Sequence, residues 1–102
     1  MTPEGKVKER VKKLLKKYGA YQHWPVLNGM GAPTLDCVLC HHGRFAAVET
    51  KAGSKLPTPR QEMTMRSMDA AGGKTFLVND VTGLDELEAW LKEVGHADNN
   101  HD

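Results

Sequence analysis

The stretch RFAAVETK, residues 44–51, decides the fold, because four apolar residues are followed by a glutamate and a lysine two positions apart. An apolar run of this length bounded by polar residues is typical of a β-strand. Side chains two positions apart on a strand point to the same face, so Glu49 and Lys51 should project together. The segment therefore predicts a strand that ends in a paired carboxylate and ammonium group.

Residues 34–40 also have strand composition, and His41-His42-Gly43 separates them from residues 44–51 by the length of a hairpin turn. Glycine suits such a turn because it adopts positive φ without steric cost. In this hairpin Asp36 lies near the far end of the first strand and approaches Glu49. Two carboxylates and one ammonium group, those of Asp36, Glu49 and Lys51, are expected to converge.

The N-terminal part of the chain predicts a helix and a short strand. Thr2 caps a helix that carries an apolar stripe at helical spacing and ends at Gly19. Residues 20–27 suggest a short edge strand because they contain a proline, and residues 28–33 form a loop. The stripe consists of Val7, Val11, Leu14, Leu15 and Tyr18.

The C-terminal part predicts two helices around one strand. Thr58 caps a helix that ends at Gly72-Gly73, with Gln61, Met65 and Met68 on its inner face. Residues 74–79 form a buried strand. A last amphipathic helix, with Leu84, Leu87, Leu91 and Val94 in its apolar stripe, stops before Gly95.

The resulting order is helix, three strands, helix, strand, helix, which predicts an α/β fold with a mixed sheet flanked by helices. At 102 residues the chain is long enough for one compact domain, assigned to residues 1–95, with a flexible tail over residues 96–102. No apolar run approaches the roughly 20 residues that cross a bilayer, and no apolar segment follows the N-terminal charges. The sequence predicts a cytoplasmic protein without a membrane segment.

The charges are unevenly distributed along the chain. Seven of the 14 basic residues fall between Lys6 and Lys17, and seven of the 13 acidic residues lie from Asp80 onward. A basic helix suits a phosphate backbone, and it equally suits plain solvation of a helix surface. Near the carboxylates, Arg44, Lys55 and Arg60 are candidates for phosphate contacts to DNA.

The converging side chains suit metal-assisted phosphodiester hydrolysis. Hard carboxylate oxygens favour Mg²⁺ or Mn²⁺, which lower the pKa of bound water and neutralise charge on the phosphoryl group. A lysine adds a fixed positive charge. The same three residues at this spacing are also compatible with a surface salt bridge on a hairpin.

The sequence resembles the VRR-NUC branch of the PD-(D/E)XK nucleases from about Glu4 to Asn79. Five features carry the resemblance: the acidic residue that opens the first helix, the turn before Asp36, the strand into the Glu-x-Lys pair, the start of the second helix and the double glycine before the last strand. They are Glu4, Gly31-Ala32-Pro33, Gly43-Arg44-Phe45 leading to Glu49-Thr50-Lys51, Pro57-Thr58-Pro59-Arg60-Gln61 and Gly72-Gly73.

The resemblance implies a restriction-endonuclease-like core of order αβββαβ, here with an additional C-terminal helix, and a metal-dependent deoxyribonuclease. It implies that Asp36, Glu49 and the backbone carbonyl of Thr50 bind Mg²⁺ or Mn²⁺, and that Lys51 orients or activates the attacking water. One departure is visible, since family members often have proline directly before the aspartate, whereas residues 34–35 intervene here.

Two further residues have a role at the site in the family pattern and an alternative role in helix capping. Gln61 supports the site in the family, while Thr58-x-x-Gln61 is also a capping box. Glu4 contacts a metal-bound water in the family, while a carboxylate is also favoured at any helix N-terminus.

Stand-alone members of the family often act as homodimers on branched DNA such as flaps and Holliday junctions. The resemblance therefore implies an endonuclease of this kind, with DNA as its partner. The small size of the domain also fits a protein encoded by a phage and acting inside a bacterial cell.

Two rival interpretations remain open. Cys37, Cys40, His41 and His42 supply a possible zinc site at the hairpin tip, and the same spacing matches c-type haem attachment, which requires an exported chain. A second Cys-x-x-Cys or His-x-x-x-His pair is absent from the sequence. The other rival is a non-catalytic nucleic-acid-binding module, against which the presence of both Glu49 and Lys51 argues.

Overall fold

The structure, a computed structural model, describes residues 1–26 and 31–99, with side chains up to residue 97. Its three helices and four strands follow the predicted order: α1 (Pro3–Lys17), β1 (Tyr21–His23), β2 (Cys37–His41), β3 (Arg44–Thr50), α2 (Pro59–Ala70), β4 (Lys74–Val78) and α3 (Leu84–Asn99). None of the helices in the described ranges is long and apolar enough to cross a membrane.

The four strands form one mixed sheet in the order β1-β2-β3-β4. The pairs β1/β2 and β2/β3 are antiparallel, whereas β3 and β4 are parallel and are connected through α2. Val48 pairs with Cys37 on one side and with Phe76 on the other, so β3 lies inside the sheet. The predicted mixed sheet is confirmed.

One face of the sheet packs against α1 and α3, and the apolar core lies between them. Thr2 caps α1 through a hydrogen bond from the amide of Gly5 to its hydroxyl oxygen, 3.0 Å long. The predicted helical stripes supply the core, together with alternate residues of the strands. The cluster consists of Val7, Val11, Leu15, Cys37, Leu39, Ala46, Val48, Phe76, Val78, Leu87 and Leu91.

Helix α2 is less buried than the sequence predicts. All of its residues are described and none of them is buried. Gln61, Met65 and Met68, the predicted inner face, are half-buried. Helix α2 contacts mainly β4, which is an edge strand of the sheet. Its apolar side chains therefore pack at that edge and do not form a second apolar core.

The hairpin between β2 and β3 is tighter than predicted. His41 is the last residue of β2, and the turn consists of His42 and Gly43, with φ values of 49° and 78°. Two consecutive residues with positive φ are typical of the two-residue turns that match the twist of a hairpin. At the other end, β2 begins at Cys37 and not at Thr34, so Asp36 immediately precedes the strand.

The prediction that the last helix stops before Gly95 is wrong, since α3 continues to Asn99. A Cβ built on Gly95 would lie 3.5 Å from Nε2 of His41 and 3.6 Å from Nε2 of His42. The glycine therefore marks the point where the helix passes close to the hairpin. Residues 96–99 of the predicted tail are helical, and residues 100–102 lie outside the described part.

The edge strand is shorter than predicted, because β1 covers Tyr21–His23 where the sequence suggested residues 20–27. Residue 27, together with residues 28–30 of the predicted loop, lies outside the described part of the chain. Pro25 has no backbone N–H to donate to a neighbouring strand, which is consistent with the pairing of β1 with β2 stopping at His23.

Candidate active site

The end of β3 brings Glu49 and Lys51 together with Asp36, as the sequence predicts. The backbone amide of Asp36 donates a 3.3 Å hydrogen bond to Oε1 of Glu49, and Nζ of Lys51 lies 3.7 Å from Oε2 of the same carboxylate. The side chains of Asp36, Glu49 and Lys51 are 8%, 4% and 16% exposed. Two carboxylates and an ammonium group thus converge in a largely desolvated corner of the sheet.

Thr50 fixes the carboxylate of Asp36. Its backbone amide and its hydroxyl both donate to Oδ2 of Asp36, over 2.9 Å and 2.7 Å. Thr50 is fully buried, so its side chain has little freedom to leave this contact. The sequence assigned Thr50 a role through its carbonyl alone, and its hydroxyl is a feature of the site that sequence reasoning missed.

The environment of Glu49 disfavours the charged form of its carboxyl group. Burial, followed by the neighbouring charge of Asp36, raises the pKa of Glu49 to about 7, although Lys51 and the amide of Asp36 act in the opposite direction. The ionised carboxylate is therefore costly in the fold without a further positive charge. A bound cation would supply that charge.

The donor set suits a hard divalent cation that keeps several waters. Among residues 1–26 and 31–99, no group of three or more His, Cys, Asp or Glu side chains is arranged to hold a metal ion. Mg²⁺ is commonly held in enzymes by one or two carboxylates, with water and substrate oxygens as its other ligands. The two carboxylates of Asp36 and Glu49 fit this pattern.

Helix α1 adds two charged side chains at the edge of the site. Glu4 lies near it, because Glu4 and Asp36 are both within 4.0 Å of the ammonium group of Lys8. Nζ of Lys8 lies 3.7 Å from Oε2 of Glu4 and 4.0 Å from Oδ1 of Asp36. Sequence reasoning missed Lys8, although its position four residues after Glu4 places both on one side of the helix.

Gln61 forms a capping box with Thr58. The side-chain oxygen of Gln61 accepts a 2.9 Å hydrogen bond from the backbone amide of Thr58. The backbone amide of Gln61 donates a 3.2 Å hydrogen bond to the hydroxyl oxygen of Thr58. The capping alternative is confirmed, and the amide oxygen of Gln61 is committed to it. A role of Gln61 at the site stays a prediction.

The loop after Lys51 is held by the segment after β4. Asp80 accepts a 2.7 Å hydrogen bond from the amide of Gly53 and a 2.8 Å hydrogen bond from Arg10 of α1. The side-chain amide of Asn79 donates to the carbonyl of Lys55 over 3.0 Å. These contacts join α1, the end of β4 and the loop that follows Lys51, and no local sequence signal predicts them.

The three candidate phosphate-contacting residues lie in different places. Arg44 is the first residue of β3 and Glu49 the sixth, which separates them by about 17 Å along the strand. The prediction that Arg44 lies beside the carboxylates is therefore wrong. Lys55 and Arg60 are exposed in the loop after Lys51 and in the first turn of α2.

Cys37, Cys40, His41 and His42, all of which the structure describes, do not converge on a zinc site. Cys37 is buried in the apolar core and Cys40 is exposed, as expected for positions of opposite parity on one strand. Nε2 of His41 lies 3.1 Å from the carbonyl oxygen of Leu91, a hydrogen bond to α3. The buried His41 therefore has a structural partner in the described part of the chain.

Comparison of the sequence with models of known protein families and with curated proteins finds no match. Solved structures do match the fold. A structure described as a VRR_NUC domain gives a TM-score of 0.67 at 19% identity and covers 100% of both chains. Hjc from Archaeoglobus fulgidus, described as a Holliday junction resolvase, gives a TM-score of 0.59 at 15% identity, over 76% of this chain and 70% of that one.

These likenesses define the fold class. The chain has a VRR-NUC-like fold, in which three helices flank a four-stranded mixed sheet of the restriction-endonuclease type. The fold that the sequence predicts is confirmed. The Holliday junction resolvase shares this fold over a smaller part of the chain.

Proposed function

We propose that the protein is a metal-dependent endonuclease that hydrolyses DNA phosphodiester bonds, with a preference for branched DNA. The observation that carries the proposal is the meeting of Asp36, Glu49 and Lys51 at the end of β3, within a VRR-NUC-like fold. Two buried carboxylates beside a lysine, with the pKa of Glu49 raised, cost the fold stability and are typical of catalytic sites.

In this proposal Asp36 and Glu49 hold Mg²⁺ or Mn²⁺, with the carbonyl of Thr50 as a further ligand. A cation held there would supply a water of lowered pKa and positive charge for the phosphoryl group. Thr50 keeps Oδ2 of Asp36 fixed through its two hydrogen bonds. Lys51 orients the attacking water, and its ammonium group offsets the charge of Glu49 beside it.

The proposed substrate is branched DNA, either a flap or a four-way junction. Its support is the likeness to a protein described as a Holliday junction resolvase. We further propose that the enzyme acts as a homodimer, which would place two sites on the two strands of a junction. Lys55 and Arg60 are exposed and suited to phosphate contacts. We also propose that the protein is encoded by a phage and acts in the bacterial cytoplasm.

The test is cleavage of end-labelled duplex, flap and four-way-junction DNA with Mg²⁺, Mn²⁺ or EDTA. The proposal predicts cleavage that requires the metal and is fastest on one of the branched substrates. Cleavage that continues in EDTA would contradict the metal dependence. Tight DNA binding without cleavage in either metal would contradict the enzymatic function and favour the non-catalytic binding module.

A further inference from the structure

Lys8 lies at the candidate active site, but the proposed hydrolysis gives it no role. Oδ2 of Asp36 is bound by Thr50, which leaves Oδ1 as its outward oxygen. The ammonium group of Lys8 faces that oxygen at 4.0 Å and Oε2 of Glu4 at 3.7 Å. A positive charge from α1 thus stands between two carboxylates, one of which is a proposed metal ligand.

Without a metal, the carboxylates around this point outnumber the ammonium groups. Three carboxylates, those of Glu4, Asp36 and Glu49, face two ammonium groups, since Lys51 adjoins Glu49 and Lys8 adjoins the other two acids. The groups that act on Lys8, which are the three carboxylates and Lys51, carry a net negative charge that attracts it. A divalent cation would cancel that charge, and the attraction that holds Lys8 would then be lost.

We propose that Lys8 is a resident counter-ion of the site, which competes with the divalent cation for Asp36 and withdraws when the cation binds. The inference rests on the proposed function, because it requires a metal at Asp36 and Glu49. The side chain of Lys8 is 35% exposed, so its ammonium group has a path into solvent. Lys8 is therefore a positioning residue that sets metal affinity.

The test is calorimetric titration of the DNA-free protein with Mn²⁺. Replacement of Lys8 by methionine keeps an unbranched side chain of similar length and removes its charge, so Lys8→Met should bind Mn²⁺ more tightly. Because ion pairs with partly exposed members are weak, the expected gain is about two- to five-fold. Lys8→Arg keeps the positive charge and should bind as wild type does.

The matched control is Lys13→Met, which makes the same change in net charge at an exposed position of the same helix. It should leave Mn²⁺ affinity close to that of wild type. A thermal unfolding scan of each variant shows whether it is folded, and Lys8→Gln provides a second neutral variant. Equal or weaker Mn²⁺ binding by both neutral Lys8 variants, relative to Lys13→Met, would overturn the proposal.

Glu49→Ala separates this inference from the proposed function. Loss of Mn²⁺ binding in Glu49→Ala, with no difference between Lys8→Met and Lys13→Met, would reject the role of Lys8 alone. If wild type binds no Mn²⁺, or if Glu49→Ala binds it as wild type does, the metal site is wrong and the role of Lys8 falls with it.

Discussion

Thr50 donates two hydrogen bonds to the same oxygen of Asp36, one from its backbone amide at 2.9 Å and one from its hydroxyl at 2.7 Å. Both residues are buried, so the carboxylate depends on these donors in place of water. The contact joins the residue before β2 to the last residue of β3. It fixes one proposed metal ligand before any metal arrives.

Thr50→Val should destabilise the protein, because it keeps the shape of the side chain and removes one donor to a buried carboxylate. The expected loss in the free energy of unfolding is about 1–3 kcal/mol. Urea unfolding in EDTA measures it, with Thr50→Ser as the variant that retains the hydroxyl. A Thr50→Val protein as stable as wild type would show that the hydroxyl contributes nothing to holding Asp36.

Glu49→Gln should stabilise the metal-free protein at alkaline pH. Burial raises the pKa of Glu49 from its ordinary value of 4.5 to about 7 in the folded protein. Between these values the folded state binds more protons than the unfolded state, so the contribution of Glu49 to stability falls as pH rises, and its full cost is present above pH 7. Removal of the charge recovers up to about 3 kcal/mol.

Urea unfolding of wild type and Glu49→Gln at pH 4 and pH 8, both in EDTA, measures this difference. The stabilisation should be present at pH 8 and largely absent at pH 4, where Glu49 is protonated in both states. A difference of the same size at both pH values would mean that the effect does not come from ionisation of Glu49.

Gly95→Ala should stabilise the protein, because Gly95 lies inside α3 and its missing Cβ would meet His41 and His42 at ordinary contact distances of 3.5 Å and 3.6 Å. The expected gain is about 0.5–1 kcal/mol from helix propensity. Gly83→Ala is the contrasting variant, since Gly83 has a φ of +99° and its Cβ would collide with the carbonyl oxygen of Leu77. Thermal unfolding should move in opposite directions for the two variants, and a destabilised Gly95→Ala would contradict the packing described here.

Asp80→Ala should loosen the loop that follows Lys51. Asp80 accepts the amide of Gly53 at 2.7 Å and also binds Arg10, so its loss removes the link between the loop and α1 and leaves the amide of Gly53 without its side-chain acceptor. Hydrogen exchange at the amide of Gly53 should accelerate by about ten-fold. Asp85→Ala, at an exposed position of α3, is the control. Unchanged exchange at Gly53 in Asp80→Ala would show that the loop is held by other contacts.

The order of elements could be predicted because the chain marks its boundaries with local signals. Thr2 and Thr58 cap helices, and each is followed by proline at the first helical position. The end of α3 could not be predicted in this way. Gly95 is a helix terminator by local rules, but the helix continues because it packs against the sheet and passes the hairpin histidines.

The convergence of Asp36, Glu49 and Lys51 followed from strand periodicity and hairpin geometry, both of which are local. Lys8 and Asp80 act through contacts between elements that are distant in the sequence. Lys8 and Asp36 are 28 residues apart, and Arg10 and Asp80 are 70 residues apart. Such contacts depend on how α1 crosses the sheet, which composition and spacing do not encode. The hydroxyl of Thr50 was missed because its hydrogen bond depends on where the chain enters β2.

Lys51 is the residue on which the proposed active site is tested most directly. The measurement is single-turnover cleavage of a four-way-junction DNA in Mn²⁺ by wild type, Lys51→Ala and the exposed control Lys92→Ala. We expect a loss of about 100-fold or more in the cleavage rate for Lys51→Ala alone, with DNA binding retained. Cleavage by folded Lys51→Ala at the rate of wild type would contradict the assignment of the active site.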